Sequence, residues 1–111
     1  MDPAHSVAAN AARGFQLFQC EQCANSIRDA LLRGGYHGEV IEMRPGGSLP
    51  FIICMSYHGG TIAITRNGRH VGVRVGDMVF DNLHPDGMPS DQWMNDFDAY
   101  GGVVIAKVSL F

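Results

Sequence analysis

NGRHVGVRVGDMVFDN, residues 67–82, is the stretch on which the reading of this chain turns. Asn67-Gly68 and Gly76-Asp77 are turn pairs. Between them, residues 70–75 (HVGVRV) place Val at every second position, the alternation of a strand with one buried face. Residues 78–82 (MVFDN) form the returning strand. If Gly76-Asp77 is a two-residue hairpin turn, Val75 faces Met78 and Gly72 faces Asp81. Val71, Val73, Val75, Met78 and Phe80 then share a core-facing side. His70 lies diagonal to Asp81 on the other side, within reach of its ring. A loop one residue longer would bring Asn82 to that place instead. Gly72, beside His70, leaves room for the ring and for a substrate.

Outward from this hairpin, the strongest helix signal is residues 21–33 (EQCANSIRDALLR). Cys20, Cys23, Ala24, Ile27, Ala30 and Leu31 follow the spacing of one buried helical face. Glu21 in the first turn and Arg33 in the last suit the helix dipole, and Gly34-Gly35 ends the helix. Upstream, residues 6–13 predict a short Ala-rich helix capped by Ser6, within a lead-in over residues 1–14. Further strands are predicted over 40–43, 51–57, 61–66 and 103–108, the last of them buried. Ser90 is placed as the cap of a late helix over 91–100, with Trp93 and Phe97 packing on the sheet and Asp91, Asp96 and Asp98 solvated. The sum is an α+β chain: an early helix, an antiparallel sheet and one late helix.

At 111 residues this reads as one domain, residues 1–111, and 46% hydrophobic against 17% charged residues suits a globular core. Eight Lys plus Arg are scattered, and the net charge is −3, so nucleic acid is a disfavoured partner. No apolar run is long enough to span a membrane. The opening MDPAHSVAAN lacks the features of a signal peptide. Three Cys, an odd number, predict at least one free thiol and a reducing site of action.

Two constellations carry chemistry. Cys20-x-x-Cys23 opens the strong helix, where unpaired N–H groups and the dipole favour a thiolate. Two buried structural thiols fit the same spacing. Zinc needs two further ligands, and only Cys54 and scattered His remain, so neither metal nor cofactor is expected. His70 with Asp81 supplies the second constellation, a base with its orienter. Gln19 or Gln16 is available as an oxyanion donor. His84 is a loop residue that can line the cleft, as can Asn82, and His37 and His58 sit exposed in turns.

Phe18 to Ala24 with Ile27 and Leu31, Asn67-Gly-Arg-His70, and Val79-Phe-Asp-Asn82 followed by His84-Pro-Asp-Gly87 and Trp93 together resemble the second papain-fold toxin family of bacterial polymorphic toxin systems. The resemblance runs from about Phe15 to Phe97. It implies a papain-like fold, with a Cys-bearing helix packed on an antiparallel sheet that carries His and Asp. It implies a cysteine hydrolase or acyl transferase (peptidase, deamidase or transglutaminase-like) built on the Cys20/Cys23 pair, His70 and Asp81. Cys20 is favoured because the first-turn position gives the dipole most leverage, while Cys23 turns to the core. A delivered effector, a protein substrate in the recipient-cell cytoplasm and a cognate immunity protein are further implications. The competing readings are a non-catalytic protein-binding module and a nuclease using His70 and His84.

Overall fold

The computed structural model describes residues 2–111, so Met1, the first residue of the lead-in, lies outside the described residues. Helix α1 spans Pro3–Ala12 and α2 spans Cys20–Arg33. Strands follow at Glu39–Pro45 (β1), Ile52–Cys54 (β2), Ala63–Thr65 (β3), His70–Val75 (β4), Met78–Phe80 (β5) and Met88–Pro89 (β6). The short helix α3, Ser90–Trp93, precedes β7 at Phe97–Asp98 and β8 at Val103–Leu110. The strands form a five-stranded sheet in the order β6-β5-β4-β1-β8 and a three-stranded sheet in the order β3-β2-β7. Every pairing is antiparallel. The chain is α+β, with a Cys at the head of α2 and a His at the head of β4.

The β4–β5 hairpin has the expected register, Val75 opposite Met78 and Val73 opposite Phe80. Its apolar side packs against the helices: Cys23, Ala24, Ile27 and Leu31 of α2 meet Val71, Val73, Val75 and Phe80. α1 joins this layer through Ala4, Ala8, Ala9 and Ala12, small residues that let the two helices approach closely. On the opposite side, Ile41, Met43 and Val79 pack with Ile52, Cys54, Ile64, Trp93 and Phe97. The larger sheet is therefore covered by helices on one face and by the smaller sheet with α3 on the other. The α2 stripe and the apolar side of the β4–β5 hairpin are buried against each other, as the sequence pattern expects.

Several boundaries depart from the sequence reading, each for a local reason. α1 begins at Pro3 rather than Ser6, because Asp2 accepts a hydrogen bond from the Ala4 N–H at 2.8 Å and Pro3 is preorganised for the first turn. β5 stops at Phe80, because the Asp81 carboxylate captures the N–H groups of Leu83 (3.0 Å) and His84 (2.6 Å) and turns the chain. β2 stops at Cys54, because the Met55 N–H donates to the Asp96 carbonyl at 2.6 Å and the Ser56 N–H to its carboxylate at 3.1 Å. The late helix ends after one turn and a 3₁₀ segment, Met94–Asp96, because Phe97 and Asp98 pair with β2. β8 is not buried. It is an edge strand beyond β1, with Val104, Ile105, Val108 and Leu110 exposed.

No helix among the described residues is long and apolar enough to cross a membrane.

Candidate active site

Cys20 is the first residue of α2 and is half-buried, while Cys23, one turn later, is fully buried. The difference follows from the helical stripe. Cys23 lies on the face that meets β4, and its thiol reaches the Ala12 carbonyl of α1 at 3.6 Å. Cys20 lines a cleft of about 380 Å³ bordered by Phe18, Glu21, Arg66, Asn67 and Arg69. That volume lies within the range of small-ligand sites. Arg66 stacks its guanidinium on the Phe18 ring at 4.5 Å, and Arg69 pairs with Glu42 and, at 3.1 Å, with Glu21.

His70 opens β4 and is completely buried. Its Nε2 donates to Asp81 Oδ2 at 2.9 Å, so the diagonal pairing expected from the hairpin register is present. Nδ1 is buried with no formed hydrogen bond, and it is the nitrogen left for the Cys20 thiol. The ring acts on the thiol and favours its thiolate, and Nδ1 has no other partner. Trp93 and Phe97 wall the ring, with centroids 6.1 and 4.9 Å away. Gly72 makes room for the Trp93 indole: a Cβ there would lie 2.7 Å from Trp93 Cζ2.

Asp81 is the hub. Oδ2 also accepts from Trp93 Nε1 at 2.9 Å, and Oδ1 accepts from the backbone of Leu83 and His84 and from His84 Nδ1 at 2.8 Å. A buried carboxylate with so many donors is fixed in orientation and held ionised. Burial alone would raise its pKa, but the hydrogen bonds from His70 and His84 outweigh that and hold it far below the usual carboxylate range.

The electrostatics separate the two thiols of the helix. For Cys20, burial pushes the pKa up, yet the His70 ring, the Val71 backbone N–H and Arg69 more than reverse it. Its net shift is downward. For Cys23, burial and the negative charges of Asp81 and Cys20 push the thiol up to about 12. His70, although burial opposes its charge, is raised to about 9 by Asp81 and then by Cys20. Opposite shifts of this kind on a thiol and an imidazole favour the thiolate–imidazolium pair.

His84 is a loop residue, as expected, but it is nine-tenths buried and bridges two carboxylates. Its Nδ1 meets Asp81 and its Nε2 meets Asp96 Oδ2 at 2.7 Å. Asp96, expected on a solvated helix face, is turned inward, where Cys54 Sγ donates to it at 3.2 Å and the Ser56 hydroxyl makes a short hydrogen bond. Cys54, His84 and Asp96 thus converge within 4.8 Å. Their separations are those of hydrogen-bonded partners, and the His84–Asp96 distance is too short for two ligands of a tetrahedral ion. Cys54 is fully buried beneath this network, whereas Cys20 borders the open cleft.

Gln19, Gln16 and Asn82 make no hydrogen bond to the His70 ring. Gln19 Oε1 accepts from the Gln16 N–H at 2.8 Å, and Asn82 Nδ2 donates to the Gln16 carbonyl at 3.0 Å. These bonds shape the loop that delivers Cys20. His37 and His58 are exposed, as are Asp91 and Asp98. Sequence reasoning missed Ser56 and Asp96, since only the folding of the late segment back onto β2 brings them to His84.

A family model described as papain fold toxin 2 matches residues 3–98, which leaves β8 outside the match. None of the curated proteins and none of the solved structures compared with the chain matches it.

Proposed function

The chain belongs to the papain fold toxin 2 family, and from that premise we propose that it acts as a toxin or effector domain whose chemistry is that of a papain-like cysteine enzyme. In this reading residues 1–111 form one such domain, with 1–14 as its lead-in. Cys20 is the nucleophile, His70 the base and acid, and Asp81 the group that orients the ring. The observation that carries the assignment is the chain of contacts from the cleft inward. A half-buried thiol at a helix start is coupled electrostatically to a buried imidazole whose Nδ1 has no hydrogen bond and whose other nitrogen is 2.9 Å from a buried carboxylate.

The chemistry follows from those positions. With the proton on His70 Nδ1, the Cys20 thiolate attacks an amide carbonyl carbon and the C–S bond forms. The oxyanion is stabilised by α2 first-turn N–H groups, with the Gln19 side-chain amide as a further donor. Collapse breaks the C–N bond, and Nδ1 gives its proton to the departing amine or ammonia. His70 Nδ1 then takes a proton from water as the water oxygen attacks the thioester carbon. The C–S bond breaks, the carboxylic acid leaves, and the Cys20 thiolate–His70 imidazolium pair is restored. A peptide bond makes this a peptidase, and a glutamine side chain makes it a deamidase. If an amine replaces water in the last step, the enzyme is a transglutaminase.

The substrate in this reading is a protein in the cytoplasm of a recipient cell, reached by delivery, and a cognate immunity protein is the natural partner. Family membership supports both. The exposed cleft at Cys20 supports a polypeptide segment or a side-chain amide as the reacting group. Inducible expression in a bacterial cytoplasm tests the reading. Growth arrest is expected from the wild type and from Cys23→Ala, and none from Cys20→Ala or His70→Ala. Unaltered toxicity of soluble Cys20→Ala and His70→Ala proteins would reject it.

A further inference from the structure

The Cys20–His70–Asp81 chain does not end at Asp81. The Asp81 carboxylate is shared: Oδ2 faces His70, and Oδ1 faces His84 Nδ1 at 2.8 Å. His84 in turn faces Asp96 through Nε2 at 2.7 Å. Both His84 nitrogens point at carboxylate oxygens, so each must carry a hydrogen and the ring is an imidazolium. The groups facing His84 are Asp81 on one side, and Asp96, Ser56 and Cys54 on the other, with the Phe97 ring at 5.7 Å. The groups facing His70 are Asp81 and Cys20, between the Trp93 and Phe97 rings. Arg69 lies nearby and acts on Cys20, and Glu42 and Glu21 pair with it.

We infer that His84 and Asp96 are positioning residues for the reaction: His84, a cation between two carboxylates, offsets part of the Asp81 charge and so limits how tightly Asp81 holds the proton on His70, and Asp96 in turn tempers the His84 charge. The inference rests on the reading of Cys20, His70 and Asp81 as the reacting groups. Its physical content is a balance. A lone buried Asp81 would bind the His70 imidazolium strongly and resist proton transfer to a leaving group. A second cation on its other oxygen weakens that hold, and Asp96, on the far side of His84, tempers that cation's effect. The backbone donors of Leu83 and His84 fix Asp81 in orientation, and as neutral dipoles they offset its charge less than a cation on the same oxygen does.

The two outer residues carry opposite charges, so their removal acts in opposite directions. His84→Gln keeps a hydrogen-bonding side chain but removes a cation, and His70 should titrate higher, by on the order of one pH unit. Asp96→Asn removes an anion while Asp81 keeps His84 charged, and His70 should titrate lower, by a smaller amount because Asp96 is further away. General loosening of the site would move both variants the same way.

The experiment is an NMR titration of the His70 ring in the full chain for the wild type and both variants, with the resonance assigned by its absence in His70→Gln. Cys20 alkylation rates are recorded on the same samples. Shifts of opposite sign support the inference, and shifts of the same sign, or none, overturn it. If His84→Gln does not fold, the direction of the Asp96→Asn shift decides alone: downward supports, and unchanged or upward overturns. An unreactive Cys20 in the wild type would instead count against the proposed enzyme, because the signs of the His70 shifts do not depend on thiol reactivity.

Discussion

Gly72→Ala adds one methyl group to β4 and should destabilise the fold at its most crowded point. The new Cβ would lie 2.7 Å from Trp93 Cζ2, 2.9 Å from Val79 Cγ1 and 3.2 Å from Trp93 Cη2. Carbon atoms in contact prefer about 3.5–4.0 Å, so the neighbours must retreat by roughly 1 Å. Trp93 and Val79 are each only 1% exposed and have no free space to move into. Overpacking of this kind costs about 1–3 kcal/mol. Reduced freedom of the unfolded chain returns about 0.4–1 kcal/mol, since Gly72 is not in the left-handed region. If the indole turns, its hydrogen bond to the Asp81 carboxylate is strained as well, and bonds to charged groups contribute about 1.5–3 kcal/mol. A net loss of about 2 kcal/mol is expected. Urea unfolding measures it directly, because Trp93 is the one tryptophan and its fluorescence reports the site. Phe at position 93 lacks the atoms that clash, so the Gly72→Ala penalty should shrink in a Trp93→Phe background. A Gly72→Ala protein as stable as the wild type, with unchanged emission, would refute this account of the packing.

Three further outcomes can be checked. Stability should decline on both sides of a plateau between about pH 4 and 6.5, the ordinary carboxylate and imidazole values. Asp81 has its pKa depressed on folding, so its contribution holds above the unfolded value and is lost as acid protonates it. His70 and His84 are raised to about 9 and about 11, so their contributions are complete below about 6.5 and fade as pH rises through the folded values. Thermal melts from pH 3 to 11 measure this, and stability that climbs steadily above pH 7 would contradict it. Cys23→Ala, which removes a fully buried thiol, should lower stability by about 1 kcal/mol while leaving Cys20 reactive. Asn82→Ala removes the 3.0 Å bond that ties β5's outgoing loop to Gln16, so Cys20 reactivity should fall several-fold with little change in melting temperature. Alkylation kinetics beside a thermal melt separate the two effects.

The parts of this site that could be read from sequence are those set by local periodicity. The Val alternation and the Gly76-Asp77 turn determine a register, and the register alone brings His70 to Asp81. The apolar stripe of α2 includes both Cys20 and Cys23, and only its first-turn position favours Cys20; the structure buries Cys23 and leaves Cys20 half-buried. What could not be read depends on contacts between distant segments. Asp96 sits in a stretch with helical pattern, and it turns inward only because Phe97 and Asp98 add a strand to β2. His84 follows a strand whose early end is set by its own hydrogen bonds to Asp81. β8 carries the apolar content of a buried strand, yet its place at the sheet edge leaves it exposed, and no local pattern distinguishes an edge from a centre.

The most direct measurement of the central assignment is the pH dependence of alkylation at each of the three thiols, resolved by mass spectrometry after brief exposure to iodoacetamide. Cys20 should react well below the ordinary thiol value of about 8.5, and should lose that advantage in His70→Ala. Cys23 and Cys54, both fully buried, should stay unmodified in the folded protein. Cys20 reacting only as an ordinary thiol, unaffected by His70→Ala, or faster labelling of Cys23 or Cys54 in the folded protein, would contradict the assignment of Cys20 and His70 as the reacting pair.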